Sequence, residues 1–290
     1  MIAGIALLLT GAVAHPFACL DYVQGKVFIF SGQGALEWEH PAPQGDDLWI
    51  LPNGNLLVTV GHGVREVTRQ GQIVLNYESA SEIYACQRLP KGQTFVGECN
   101  SGRLLHLDRS GNVIDEVRLL PAGVDGGHVY MRNARQLTNG NYLVPHYGAD
   151  AVREYDSHGR QLREIPAAGG PHTAVRLPNG NTLIACGDRP GGPRVIEVAA
   201  DNQIVWQVTA DELPGIRLKF MAGLQRLPNG NTVLSNWLGH GHLGAGPHLV
   251  EVTPDKQVVW TFADHQRVKT IASFQLLDVP GDATQGELWR

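Results

Sequence analysis

Apolar residues in this chain do not recur at the spacing of a helix. They alternate with polar ones over short stretches, and the stretches come in pairs. HTAVRL (His172–Leu177) is followed, after the turn Pro178-Asn179-Gly180-Asn181, by TLIAC (Thr182–Cys186). The same arrangement surrounds LPNGN at Leu51–Asn55, LPKGQ at Leu89–Gln93, LTNGN at Leu137–Asn141 and LPNGN at Leu227–Asn231. Successive starts, with Leu177 included, lie 38, 48, 40 and 50 residues apart. Alternation with a period of two marks a half-buried strand. Asn-Gly between two apolar runs is a strong hairpin signal, because a tight hairpin turn needs positive φ. A second alternating pair follows each hairpin, as in VREVTRQGQIVLNY, LLHLDRSGNVIDEV, VREYDSHGRQLREI, VIEVAADNQIVWQV and LVEVTPDKQVVWTF. Each unit therefore reads as four antiparallel strands, A to D, in roughly 40 to 50 residues, the pattern of a β-propeller blade.

Five units are complete, and the two ends supply a sixth. GKVFIFSGQGALEWEHP, from Gly25, matches a C–D pair, while ASFQLLDVPGD, from Ala272, matches an A strand with Leu277 at the place of the motif leucine. GELWR (Gly286–Arg290) is expected to form a short B strand. The expected fold is all-β: a single six-bladed propeller of four-stranded antiparallel blades over residues 15–290, its ring closed by N- and C-terminal strands. Closure also removes the free sheet edges that invite aggregation.

Composition agrees. Gly accounts for 35 and Pro for 17 of 290 residues, too many for a helical bundle. A hydrophobic share of 43% with only 18% charged residues excludes a disordered chain. The net charge of -5, with no Lys/Arg tract, removes nucleic acid as a partner. Met1–Ala14 is apolar and uncharged, and Ala12-Val13-Ala14 has the small-x-small form of a signal-peptidase site. This segment reads as a signal peptide, giving a secreted or periplasmic protein; a buried N-terminal strand or a misassigned start is the alternative. It is shorter than the roughly 20 residues a membrane span needs. The four cysteines, Cys19, Cys86, Cys99 and Cys186, have no metal-knuckle spacing. They read as small buried hydrophobes, with a Cys86–Cys99 bridge conceivable in an oxidising compartment.

Two features carry a resemblance. Trp38, Trp206 and Trp260 share one D-strand position, in LEWEH, IVWQV and VVWTF. His172-Thr173-Ala174 runs into Leu177-Pro178-Asn179-Gly180. In this the chain resembles the quinoprotein-like (PQQ-like repeat) propeller superfamily, and within it the arylsulfotransferase-like propellers, whose His-Asp-Ala segment leads into Leu-Pro-Asn-Gly. Thr173 stands where that segment has its acidic residue. The resemblance implies blades docked by tryptophans and a histidine that carries a sulfuryl group. Quinone-dependent oxidation is not implied, since no vicinal cysteine pair is present.

The blade pattern also locates a site. The motif turns mark one face; the D–A and B–C connections, which vary between units, mark the other, where binding chemistry is expected. Six positions before the motif proline or its equivalent stand Asp46, Tyr84, Arg132, His172 and Ala222. Eight positions after it stand Val60, Glu98, His146, Cys186 and Asn236. Just beyond lie His62, Asn100, Tyr147, Asp188, Arg189 and Trp237, then the loop LGHGHLGAGPH with His240, His242 and His248. The D–A loops add His128, Lys219 and His265.

Three chemistries fit such a His-rich mouth. The first is anionic group transfer, with His172 as nucleophile or base, His146 as its partner, and Arg132, Arg189 and Lys219 stabilising the oxyanion. The second is a divalent metal held by His128, His146 and His172 with Glu98 or Asp188, serving a lyase or hydrolase. The third is binding alone, of a small molecule or glycan, or docking of a protein. Tyr84, Tyr147 and Trp237 would offer flat faces, and Asp46, Glu98, Asn100, Asp188, Arg189, Asn236 and His240 polar contacts. Arg132 has a duller alternative as the buried ion-pair partner of Glu98 or Asp46.

Overall fold

The recurring turn joins the first two strands of five blades. In Leu51–Asn55 the Gly54 amide donates to Leu51 O at 2.8 Å and the Leu51 amide to Asn55 O at 2.9 Å. Only the glycine has positive φ, at 82°. The expected tight hairpin turn is a three-residue loop, and the positive φ it requires falls on the glycine. Asn53 contributes through its side chain instead, accepting the Asn55 amide at 3.0 Å.

The computed structural model describes residues 14–290; apart from Ala14, the expected signal peptide lies outside the described residues. Six four-stranded antiparallel sheets make up the ring. In chain order the blades run Leu48–Ile50 to Ile73–Glu78, Ile83–Arg88 to Val113–Arg118, Arg135–Gln136 to Gln161–Pro166, Pro171–Arg176 to Ile204–Thr209, and Met221–Arg226 to Val258–Phe262. The sixth pairs Ser273–Leu276 with Phe17–Asp21, which continues into Lys26–Phe30 and Leu36–Pro41. Cys19 lies opposite Phe274 across this closure. The N-terminal segment thus supplies three strands of that blade and the C-terminal segment one. GELWR is not its B strand, because Phe17–Asp21 occupies that place. No described helix is long and apolar enough to cross a membrane.

Apolar burial falls into six clusters, one at each blade–blade junction. The motif asparagine closes the same junctions with polar contacts. Asn181 Nδ2 donates to Glu197 on its own C strand at 2.7 Å, and Arg226 of the next A strand reaches the same carboxylate at 2.8 Å. Asn141–Glu154–Arg176 and Asn55–Glu66–Arg88 repeat the staple. In the fifth blade His15 replaces the arginine, 3.0 Å from Glu251. Trp206 donates Nε1–H to Pro254 O in the neighbouring blade at 2.8 Å, and Trp38 does likewise to Arg69 O at 3.0 Å. All four cysteines are buried and free, so Cys86 and Cys99 do not bridge.

The channel is sealed partway down. Asp47 takes both Nη atoms of Arg135, at 2.7 and 3.0 Å. Beside it the buried Arg290 guanidinium lies over Trp49, 4.2 Å from the ring centroid, and donates to Phe274 O and Leu48 O. Burial pushes the Arg290 pKa down to about 9. GELWR therefore ends as a stopper in the channel.

Candidate functional site

Above this seal, at the end away from the motif turns, the channel opens into a cavity of about 260 Å³. Its wall contains one residue from each blade: Asp46, Tyr84, Arg132, His172, Ala222 and Ala272. These occupy a single register position. In three blades that position is a β-bulge, where pairing skips from Ile83 to Ala85, from Pro171 to Thr173 and from Met221 to Gly223. A bulged residue is released from the ladder and re-aimed, which turns Tyr84, His172 and Ala222 into the mouth.

His172 is 5% exposed, and its Nδ1–H donates to Ala222 O at 2.9 Å. Burial first, and then the positive charge of Arg132, push its pKa down to about 3. The ring is therefore neutral at ordinary pH, with Nδ1 as donor and Nε2 as a lone-pair acceptor on the cavity side.

Arg132 is 5% exposed. It donates Nη1–H to the carbonyls of His128 and Met131, and lies over the rings of Tyr84 and Tyr147, 4.2 and 4.9 Å from their centroids. No carboxylate of the described residues pairs with it, neither Glu98 nor Asp46. Asp46, 7% exposed, donates its amide to Thr59 Oγ1 at 2.8 Å while its carboxyl has no hydrogen-bond partner among the described residues. Burial drives the Asp46 pKa up to about 8 despite Arg132.

One side of the cavity is aromatic. Tyr147 and Phe220 stack at 6.2 Å, and Phe220 meets Trp237 edge-on at 5.2 Å and His172 at 5.5 Å. The rim carries two His–carboxylate pairs, His128 with Glu82 and His240 with Asp188, each at 2.7 Å. Tyr147 also donates its hydroxyl to Asp188 at 3.0 Å.

Asp46, Tyr84, Arg132, Tyr147, His172, Trp237, His240 and His128 thus converge on the cavity, with Asp188 at its edge. The residues placed eight positions after the motif do not. His146 spends Nδ1 on Tyr130 O and Nε2 on the Tyr155 hydroxyl, both at 2.9 Å, and burial lowers its pKa to about 4. It is not the partner of His172. Glu98 is fully enclosed, accepting from Tyr77, Ser79, Ser101 and Arg103. Asn236 accepts the Lys219 amide and donates to Pro247 O. Asn100 accepts the Glu82 amide beside a shallow surface dent. Arg189 pairs with Asp150 at 3.3 Å. The reason is common to His146, Glu98 and Asn236: a B strand lies one strand farther from the axis than an A strand, so its mouth end packs inside the blade.

The expected metal set is not assembled either. His128 faces Glu82, while His146 and Glu98 are committed elsewhere, and no group of three His, Cys, Asp or Glu among the described residues is arranged to hold a metal. Tyr22, Val129, Phe220 and Ala272 also line the cavity and were not anticipated. Ala272 obeys the same register when counted from Leu277. Tyr22 follows the strand that GELWR was expected to supply.

No family model matches the chain, and no curated protein matches its sequence. Solved structures share its shape. A protein of unknown function from Bacteroides caccae aligns with TM-score 0.81 and 26% identity, covering 90% of this chain and 98% of that one. A streptogramin B lyase aligns with TM-score 0.59 at 14% identity, covering 88% of this chain and 85% of its own. A catalytically inactive virginiamycin B lyase from Staphylococcus aureus with quinupristin gives TM-score 0.58 at 16% identity, covering 88% and 86%. The lyase alignments support the propeller fold and nothing finer.

Proposed function

We propose that the mouth cavity binds a small organic anion, its charge on Arg132 and its apolar body against Phe220 and Trp237. The observation that carries this reading is the buried guanidinium without a carboxylate partner. An uncompensated buried charge costs several kcal/mol or more, and an anionic ligand recovers that cost. The aromatic wall supplies the apolar contact typical of small-molecule pockets.

A catalytic form of the reading rests on His172. Its Nε2 lone pair faces the cavity while Nδ1–H is fixed by Ala222 O, the orientation a general base or nucleophile requires. In the arylsulfotransferase-like version, Nε2 would attack the sulfur of an aryl sulfate. An N–S bond forms as the S–O(aryl) bond breaks, and the aryloxide leaves, taking a proton from water to become the phenol. The apolar Met1–Ala14 segment supports an exported protein.

The test is a calorimetric titration with benzoate, phenyl sulfate, phenyl phosphate and neutral sugars, on the wild type and on Arg132→Met. Binding of at least one anion, weakened about tenfold or more in Arg132→Met, supports the reading. Preference for neutral sugars, or equal affinity in the variant, overturns it. Release of phenol from phenyl sulfate, lost in His172→Ala, would establish the catalytic form.

A further inference from the structure

The cavity holds a second polar group without a protein partner. The Asp46 carboxyl shares it with Arg132, yet the two form no ion pair. Each is held back by its own contacts: Arg132 by two backbone carbonyls and two tyrosine faces, Asp46 by the Thr59 hydroxyl on its amide. A guanidinium and a carboxyl thus border one space, both more than nine-tenths buried.

Resting on the anion reading above, we propose that the ligand is an aromatic monocarboxylate, with one oxygen on the Arg132 guanidinium and the other accepting the proton of the Asp46 carboxyl. Charge supports a single negative charge. With Asp46 un-ionised, Arg132 is balanced by one anionic charge, and a phosphate dianion would leave an excess in a buried site. Acceptor strength separates the monoanions. A carboxylate oxygen is a strong acceptor for an O–H donor, and such charge-assisted bonds are about twice as strong as neutral ones. A sulfate ester is the conjugate base of a strong acid and accepts weakly. The protonated state of Asp46 at neutral pH follows from its burial, with Asp47 and Glu82 adding to the effect and Arg132 opposing it. Those are the charged groups facing it. Tyr22, Tyr84, His128, Tyr147, His172 and His240 are the other titratable groups lining the same cavity, and His62 lies in a small recess that Asp46 also lines.

The experiment titrates the whole protein with benzoate and phenyl sulfate at about pH 6 and about pH 9.5, on either side of the Asp46 transition. Benzoate is expected to bind about tenfold or more tighter than phenyl sulfate at the lower pH and to lose about tenfold at the higher. Asp46→Asn, which keeps a donor that cannot ionise, is expected to retain benzoate binding and abolish its pH dependence. Phenyl sulfate binding as tightly as benzoate, or a wild type indifferent to pH, overturns the carboxylate assignment and leaves the anion site standing. Failure of every anion to bind overturns both.

Discussion

His172 Nδ1 donates to Ala222 O across 2.9 Å, from one blade to the next. The bond fixes the tautomer, and the bulge at each of these two residues sets where the ring lies. A histidine that would otherwise titrate near neutrality becomes a permanent acceptor. In ¹H–¹⁵N long-range NMR spectra, His172 is expected to show the Nδ1–H neutral tautomer throughout the range from about pH 5 to 8. A protonation midpoint near the ordinary histidine value would refute this.

Three histidines are buried uncharged. Burial lowers the pKa of His146 and His248 to about 4 and that of His172 to about 3. Each folded pKa lies below the unfolded value of 6.5, so below that value the unfolded chain takes up protons that the native state does not. The stability associated with the neutral rings is complete above about pH 6.5 and falls as pH drops towards the folded values, by up to about 1.4 kcal/mol per pH unit for each histidine. Urea melts at about pH 7 and about pH 5 should show a clear loss; equal midpoints would contradict it.

The staple at Asn181, Glu197 and Arg226 predicts a graded response. Asn181→Ala removes one hydrogen bond and is expected to cost about 1 kcal/mol, whereas Glu197→Ala strands Asn181 and Arg226 together with the more distant Asn179 and should cost about 2–3 kcal/mol. A double-mutant cycle of Glu197 and Arg226 should give clear coupling. Additive losses would mean that packing alone holds the junction.

Asp47 neutralises Arg135 in the sealed part of the channel, with Arg290 alongside. Removing the carboxylate leaves buried guanidinium charge uncompensated. Asp47→Ala is therefore expected to lose about 3–5 kcal/mol, while Arg290→Met, which retains the Asp47–Arg135 pair, loses less. Denaturant melts decide the order, and an Arg290→Met variant less stable than Asp47→Ala would reverse it.

The sequence carried the ring and half of the site. Repeated Leu-Pro-Asn-Gly-Asn turns report strand pairing directly, because a glycine at positive φ between alternating runs has few other uses. Counting back from them reached Asp46, Tyr84, Arg132, His172 and Ala222, all in the cavity, since every A strand meets the axis at the same register. Counting forward reached His146, Glu98 and Asn236, which are buried in their blades. Sequence offset gives height along the axis but not distance from it. Phe220 was missed because loops have no period to count. Arg290 was missed because a segment resembling a strand can serve as a stopper once its place in the sheet is filled.

The central claim is that an organic anion sits on Arg132 in the mouth cavity. The most direct measurement is anomalous diffraction from a crystal of the protein soaked in 4-bromobenzoate. The account predicts bromine density beside Phe220 and Trp237, with the carboxylate against Arg132 and Asp46. Bromine bound only outside the mouth cavity, or density in the mouth with the carboxylate turned away from Arg132, would contradict it.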